Sequence, residues 1–552
     1  MVRTSLFAAL AAAAVVGATN VDGPIDVLEA RQDARIATPP SGPPKGKGPG
    51  KGKGPKGPPG YPGGPPKGPP KRPVNSKALQ LAIRESELAK KARELERAAY
   101  STPQRNRVFS SEGHTNTLDM ITGYLDTVDD YYTYEVQEFQ ALYSQASGNL
   151  TVEGTAYEPT IYQYSTSGEI TAPIVVVNNL GCEAGDYPAE VSGNIALISR
   201  GTCPFGDKSA LANQAGAAAA IIYNNIAGPV SGGTLGPTNP NGLYVPTVGI
   251  SQDEGLALVQ LANAGEPVGE LQVDSVIENR TTYNIIAQTI GGDQNNVLAV
   301  GAHSDSVFAG PGINDDGSGT IGILETALQL AKYKTNNAVR FCFWSAEEFG
   351  LLGSTYYTQT LSAEEAEKIK LYLNYDMIAS PNYVIALYDG DGSAFNLTGP
   401  PGSAEAEQFL ASYFADLNIP TTETDFDGRS DYGPFLDIGI PAGGIFTGAE
   451  ELKTVEEAAL FGGEAGVAYD VNYHQVGDNY DNLNFEAFTI NSKAIAASVA
   501  HYSTSFKTLP PRDREYEIKA RSAQHSHPHA RSLRAKNIHA KHDCGAAPKE
   551  TI

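Results

Sequence analysis

Cysteine is scarce in this chain: 4 residues in 552, alongside 1 Trp and 3 Met. So few thiols exclude a disulfide-dense scaffold, and a chain this long buries its own cores without such staples. Long apolar runs are missing too. The N-terminal one, Leu6 to Val16, falls well short of the roughly 20 residues a membrane-spanning helix needs, and nothing further along replaces it. Basic residues are sparse through the middle, where residues 108–505 hold 11 Lys and Arg against 50 Asp and Glu. A body that acidic repels nucleic acid and favours solubility, so neither a nucleic-acid partner nor a membrane anchor is expected.

What is present at the ends points to export. Arg3, the apolar run and the small residues Val16-Gly17-Ala18 occur in the order of a secretory signal, so residues 1–18 read as a signal peptide. A secreted chain is expected, with a vacuole as the alternative destination. Asn149, Asn279 and Asn396 open Asn-x-Ser/Thr triplets, acceptors for glycosylation in such a pathway. Residues 19–75 are a Pro/Gly/Lys-rich propeptide or linker, and residues 506–552 a polar tail carrying His525, His527, His529, His539 and His542.

Between these appendages the pattern divides in three. Residues 76–130 show helical spacing over Ser76–Tyr100 and Thr117–Leu125. Residues 131–280 shift to short β-rich runs broken by Gly and Pro, such as Ala172–Val177 and Ile195–Ser199, which predicts a separate module. Cys182 and Cys203 flank one such stretch and are the candidate bridge, whereas Cys342 lies in an apolar run and reads as an inert core thiol. Residues 281–505 alternate apolar strands (Val297–Ala302, Val339–Trp344, Leu371–Tyr375) with helical segments. That alternation predicts an α/β fold, a doubly wound mixed sheet with helices on both faces and its site at the carboxyl ends of the strands.

Those ends carry the polar residues. The first strand delivers His303-Ser-Asp305, where extended geometry points both side chains the same way, so that Asp305 can hold the imidazole in the tautomer a metal requires. Asp315 comes next, in a glycine-rich turn, and its two oxygens suit a bridge between cations. The second strand delivers Glu347-Glu348, one to ligate and one to face the reacting water as a base. The third delivers Asp376, costly after an apolar strand unless paired or metal-bound. Tyr473-His474 supplies the second imidazole. Two His, three carboxylate ligands and a spare glutamate suit two zinc ions roughly 3.5–4 Å apart, with cobalt or manganese as alternatives.

The motifs His303-Ser-Asp305-Ser, Gly312-Ile-Asn-Asp315-Asp-Gly-Ser-Gly, Ala346-Glu347-Glu348-Phe-Gly, Asn374-Tyr-Asp376-Met and Tyr473-His474 resemble, in order, those of the secreted di-zinc leucine aminopeptidases, in particular aminopeptidase Y-like enzymes of zinc exopeptidase fold. Within residues 131–280, the run Arg200-Gly-Thr-Cys203-Pro-Phe205, with a helical Lys208–Ala217 and a strand Ala218–Tyr223 after it, resembles the inserted protease-associated domain, which implies a lid or steering module without catalytic residues. The resemblance implies that Asp315 bridges two zinc ions, His303 and Asp376 completing one site and Glu348 and His474 the other. Glu347 becomes the general base, Tyr473 a holder of the oxyanion and Arg429 a substrate contact. It further implies peptide or protein amino termini as substrates, a preference for Leu or other bulky apolar residues, and a monomer. A carboxypeptidase or dipeptidase on the same metal site would need a cationic pocket, for which residues 281–505 are poor in Lys and Arg. An inactive peptide-binding protein would be expected to have lost ligands, and all are present.

Overall fold

The structure, a computed structural model, describes residues 71–230 and 233–512. The signal segment, nearly all of the linker, the five tail histidines and Cys544 lie outside the described residues.

The core of the carboxyl-terminal half is a mixed sheet. The strand Asp293–His303 lies between Asn337–Trp344 and Ile369–Tyr375 and runs parallel to both. Ala442–Phe446 continues the parallel set, followed by Ala386–Tyr388, antiparallel to it, and then Thr422–Thr424. On the other side Val268–Thr289 runs antiparallel to Asn337–Trp344. Strand periodicity of two splits the side chains between two helical layers. Leu298, Val300, Phe341, Phe343, Leu371 and Leu373 face one apolar cluster, shared with helices Ser76–Ala82, Glu85–Ala99, Gly317–Leu330 and Phe485–Thr504. The intervening Ala299, Cys342, Trp344 and Tyr372 face the other, built with Tyr357 and Phe435 from the helices Leu352–Thr360 and Tyr432–Asp437. The helical stretch expected over Ser76–Tyr100 is two helices, separated at Ile83 and Arg84, where the backbone is extended.

The chain beyond His303 returns to the sheet first on one side of that strand, at Asn337–Trp344, and later on the other, at Ile369–Tyr375. Connections that diverge in this way leave a crevice at the strand carboxyl ends, which is where an open α/β sheet binds ligands.

The inserted module is a sheet of Gly168–Val176, Ile195–Ser199, Ala219–Tyr223 and Thr247–Ile250, all parallel, with helices Phe205–Gln214 and Gln252–Ala264. Cys182 and Cys203 are bonded, and Cys342 is a buried free thiol whose ionisation burial pushes up to about 12. Among the described residues, the module is joined to the rest by two paired strands. Tyr132–Val152 and Val268–Thr289 pair antiparallel from Tyr132↔Thr289 to Val152↔Gly269, so one twisted ribbon belongs to the peptidase sheet at one end and to the module at the other.

The described chain is tied down from its start. Arg72–Pro73 pairs with Tyr333–Lys334, so the linker gives way to folded chain a few residues before the boundary expected at residue 75. Deeper in, Lys91 Nζ lies 2.7 Å from Glu325 Oε2, with both side chains almost wholly buried. No described helix is long and apolar enough to cross a membrane.

Removing one partner of a buried ion pair leaves an uncompensated charge, at about 3–5 kcal/mol. Lys91→Met is therefore expected to lower stability by that amount in thermal or urea unfolding, and Lys91→Met combined with Glu325→Leu to recover most of it.

Candidate active site

Every residue expected at the site stands at a strand exit or in a loop facing one. His303 ends its strand, Glu347 and Glu348 follow the strand ending at Trp344, and Asp376 follows the one ending at Tyr375. The backbone is left-handed at Ala346 (φ 58°), Met377 (φ 51°) and His474 (φ 56°). For residues with a Cβ this conformation costs about 1–3 kcal/mol and persists only where surrounding contacts enforce it. These three turns aim Glu347, Asp376 and His474 into one crevice.

There Asp315 lies between the imidazoles. Its Oδ1 is 3.2 Å from His303 Nε2 and its Oδ2 3.1 Å from His474 Nε2. His474 Nε2 is also 3.1 Å from Glu348 Oε2, and His303 Nε2 is 3.7 Å from Asp376 Oδ1. Zinc bonds of about 2.0–2.1 Å in tetrahedral geometry set ligand atoms about 3.3 Å apart, close to the three pairs at 3.1–3.2 Å and a little shorter than His303 to Asp376. Asp376 Oδ1 and Glu348 Oε1 are buried without a hydrogen-bond partner, as atoms meant for a cation are. The donor set therefore fits zinc. Glu347 Oε2 lies 3.8 Å from His303 Nε2, beside both groups. His303 is 1% exposed and His474 32%, so the crevice opens on the His474 side.

Charge points the same way. Burial, and then the carboxylates of Asp431, Glu348 and Asp376, push Glu347 well above the usual carboxylate range. Burial and Asp315 raise Asp376, to about 6. His474 is lowered by burial, yet Glu348 and Asp315 outweigh this and lift it to about 10. The cluster holds more negative charge than its imidazoles can balance, the condition that bound divalent cations relieve.

Asp305 supports the site in two ways. His303 Nδ1 is nearer its backbone carbonyl, at 3.2 Å, than its carboxylate, at 3.7 Å. Asp305 Oδ1 also accepts the Glu347 amide at 3.1 Å, so it holds the glutamate loop as well as the imidazole. Arg429, 46% exposed, donates to Glu450 at 3.0 Å, Glu451 at 3.1 Å and the Tyr473 hydroxyl at 3.3 Å, while the Tyr473 ring stacks on His474.

Four further residues complete the support. Asp316 lies close to His303 and Asp376, but its oxygens accept the amides of His303, Gly319 and Met377, which makes it a brace between two strand ends and a helix start. Asp478 accepts the amides of Asn314 and Asp315 at 2.8 and 3.0 Å. Ser430, itself held by Asn374 at 2.8 Å, donates to Asp376. Arg107 is wholly buried, and its guanidinium donates to the carbonyls of Ser304, Pro311, Gly312 and Asp315. Asp316 sits inside a motif already singled out, and Asp478 follows His474 by four residues. Arg107 lies in an irregular stretch between helices, where no spacing or motif marks it.

A model of peptidase family M28 matches residues 284–499, and a model of the PA domain matches residues 170–258. The chain is 53% identical over 446 residues to the probable leucine aminopeptidase 2 of Aspergillus fumigatus, covering 81% of this chain and 89% of that protein. It is 48% identical over 440 residues to leucine aminopeptidase 2 of Trichophyton rubrum, covering 80% and 88%. Among solved structures it is similar to an aminopeptidase from Aneurinibacillus sp. strain AM-1, with TM-score 0.65 and 28% identity over 80% of this chain and 99% of that one. It is also similar to a zinc aminopeptidase from Bacillus subtilis, with TM-score 0.58 and 25% identity over 78% and 99%.

Because Asp315 touches both imidazoles, Asp315→Asn is expected to weaken metal retention at both groups, whereas Glu348→Gln or Asp376→Asn weakens one. Elemental analysis after dialysis measures this. The loss per group should exceed the roughly 10–100-fold typical of removing an outer-sphere partner.

Proposed function

The chain belongs to peptidase family M28 and carries a PA domain, and from that membership we propose that it is a two-zinc aminopeptidase that hydrolyses the first peptide bond of peptides with a free amino terminus, with Glu347 as general base. The observation that carries the reading is the placing of Asp315 between His303 and His474 with Glu347 beside them. His303, Asp315 and Asp376 would hold one zinc, and His474, Asp315 and Glu348 the other. Zinc, when bound, lowers the pKa of water and polarises the scissile carbonyl.

The chain's own residues supply the rest. Glu347, buried and 3.8 Å from His303 Nε2, is placed to take a proton from the attacking water and return one to the leaving amine. The Tyr473 hydroxyl, held at the mouth by Arg429, serves the developing oxyanion. Asp376 and Glu347 offer negative charge to the substrate's ammonium group. A terminal carboxylate finds no such partner, because the charge of Arg429 is already met by Glu450 and Glu451. This favours cleavage from the amino end. A preference for Leu follows from the names of the relatives, and the exposure of Asn149, Asn279 and Asn396 supports export through a glycosylating pathway.

The test pairs a Leu-peptide bearing a free amine with its N-acetylated twin. Wild type is expected to cleave only the first and to lose activity on chelation. Glu347→Gln should keep its zinc and lose about 10²–10⁴-fold in kcat. Equal cleavage of both peptides, or an unimpaired Glu347→Gln, overturns the reading.

A further inference from the structure

The loop that carries Glu347 and Glu348 is not held by the peptidase sheet alone. Two residues after Glu347, the Phe349 side chain is fully buried. Its ring sits 4.6 Å from that of Phe109, 5.8 Å from Tyr143 and 5.7 Å from Phe308, centroid to centroid. That cluster is continuous with the core of the inserted module, through Tyr162, Tyr164, Val177 and Ile198.

The backbone of the same loop is gripped from the module side. Gln163 Nε2 donates to the Glu348 carbonyl at 3.3 Å. The Tyr164 hydroxyl, 3.1 Å from the Phe349 carbonyl and 3.0 Å from that of Leu142, shares its hydrogen between the two. The corner that presents these groups is itself fixed. Tyr164 is 1% exposed and left-handed (φ 64°), and its amide donates to Ser144 Oγ at 2.6 Å. Ser165 Oγ next to it donates to the Thr247 carbonyl and accepts the Thr247 amide, which ties the corner to the strand Thr247–Ile250.

We propose that Gln163 and Tyr164 are positioning residues for the general base, so that the inserted module sets the geometry of the Glu347–Glu348 loop in addition to any role in admitting substrate. The proposal rests on Glu347 being that base. Its physical content is a difference in what each role moves. A lid or steering surface acts on substrate access and therefore on KM, whereas a misplaced base slows the chemical step and lowers kcat.

The experiment uses the full-length enzyme in excess zinc and compares Tyr164→Phe, Gln163→Ala and the double variant with Tyr187→Phe. The last removes another buried tyrosine hydroxyl of the same module, one bonded to the carbonyls of Gly181 and Lys208, away from the loop. Loss of one shared hydrogen bond predicts a kcat about five- to tenfold lower in Tyr164→Phe, with KM within about twofold. Gln163→Ala should lower kcat in the same sense, while Tyr187→Phe lowers only the thermal midpoint. Wild-type kcat in Tyr164→Phe and Gln163→Ala, an effect confined to KM, or an equal kcat loss in Tyr187→Phe overturns the proposal. Glu347→Gln runs alongside: full activity there removes the base assignment itself, a failure distinct from an unaltered Tyr164→Phe.

Discussion

One carboxylate shared by two imidazoles governs the architecture of the site. Asp315 reaches His303 with one oxygen and His474 with the other, although the two histidines are separated by most of the carboxyl-terminal half of the chain. Everything nearby serves to keep that carboxylate where both can use it. Asp478 takes the amide of Asp315 and of the residue before it, and Arg107 takes carbonyls on either side of the turn. The loop is thus clamped by a negative group on its donors and a positive group on its acceptors. A buried guanidinium without a carboxylate contact is expensive, and it is sustained here by its bonds to the backbone and by the field of Asp305, Asp478 and Asp315.

The parts of this molecule that could be read from sequence are those in which chemistry and periodicity coincide. Val297–Ala302, Val339–Trp344 and Leu371–Tyr375 are apolar enough, and short enough, to announce buried parallel strands, and an ionisable residue within three positions of each end reads as a site residue. His303, Glu347 and Asp376 were legible for that reason. Asp315 and His474 were legible as residue types in suggestive turns, and only the resemblance of motif order made Asp315 the bridge and set His474 beside Glu348.

What sequence could not supply was the arrangement of supports, because supports act through backbone atoms. Arg107 binds carbonyls, and any residue has a carbonyl. Gln163 and Tyr164 likewise meet Glu348 and Phe349 only at main-chain oxygens. Asp305 illustrates the limit more finely: the alternation of an extended strand placed its side chain with that of His303, but its second partner, the Glu347 amide, is a backbone group that alternation does not announce. The expected separateness of residues 131–280 was a composition shift without a break in the chain's path, since a ladder can pass through such a shift uninterrupted.

That ladder constrains the order in which the protein can be assembled. Tyr132–Val152 is synthesised long before its partner Val268–Thr289, and the pairing of Glu138 with Tyr283 closes a loop containing the whole inserted module. Closure of so long a segment is entropically slow unless the segment is compact first. A module that condenses first brings the two strands to its own base, side by side and in register. Only then does the peptidase sheet acquire the edge against which Asn337–Trp344 aligns. The contacts from Gln163 and Tyr164 to the loop of Glu347 and Glu348 thus join two parts of the chain that one shared ladder holds in register.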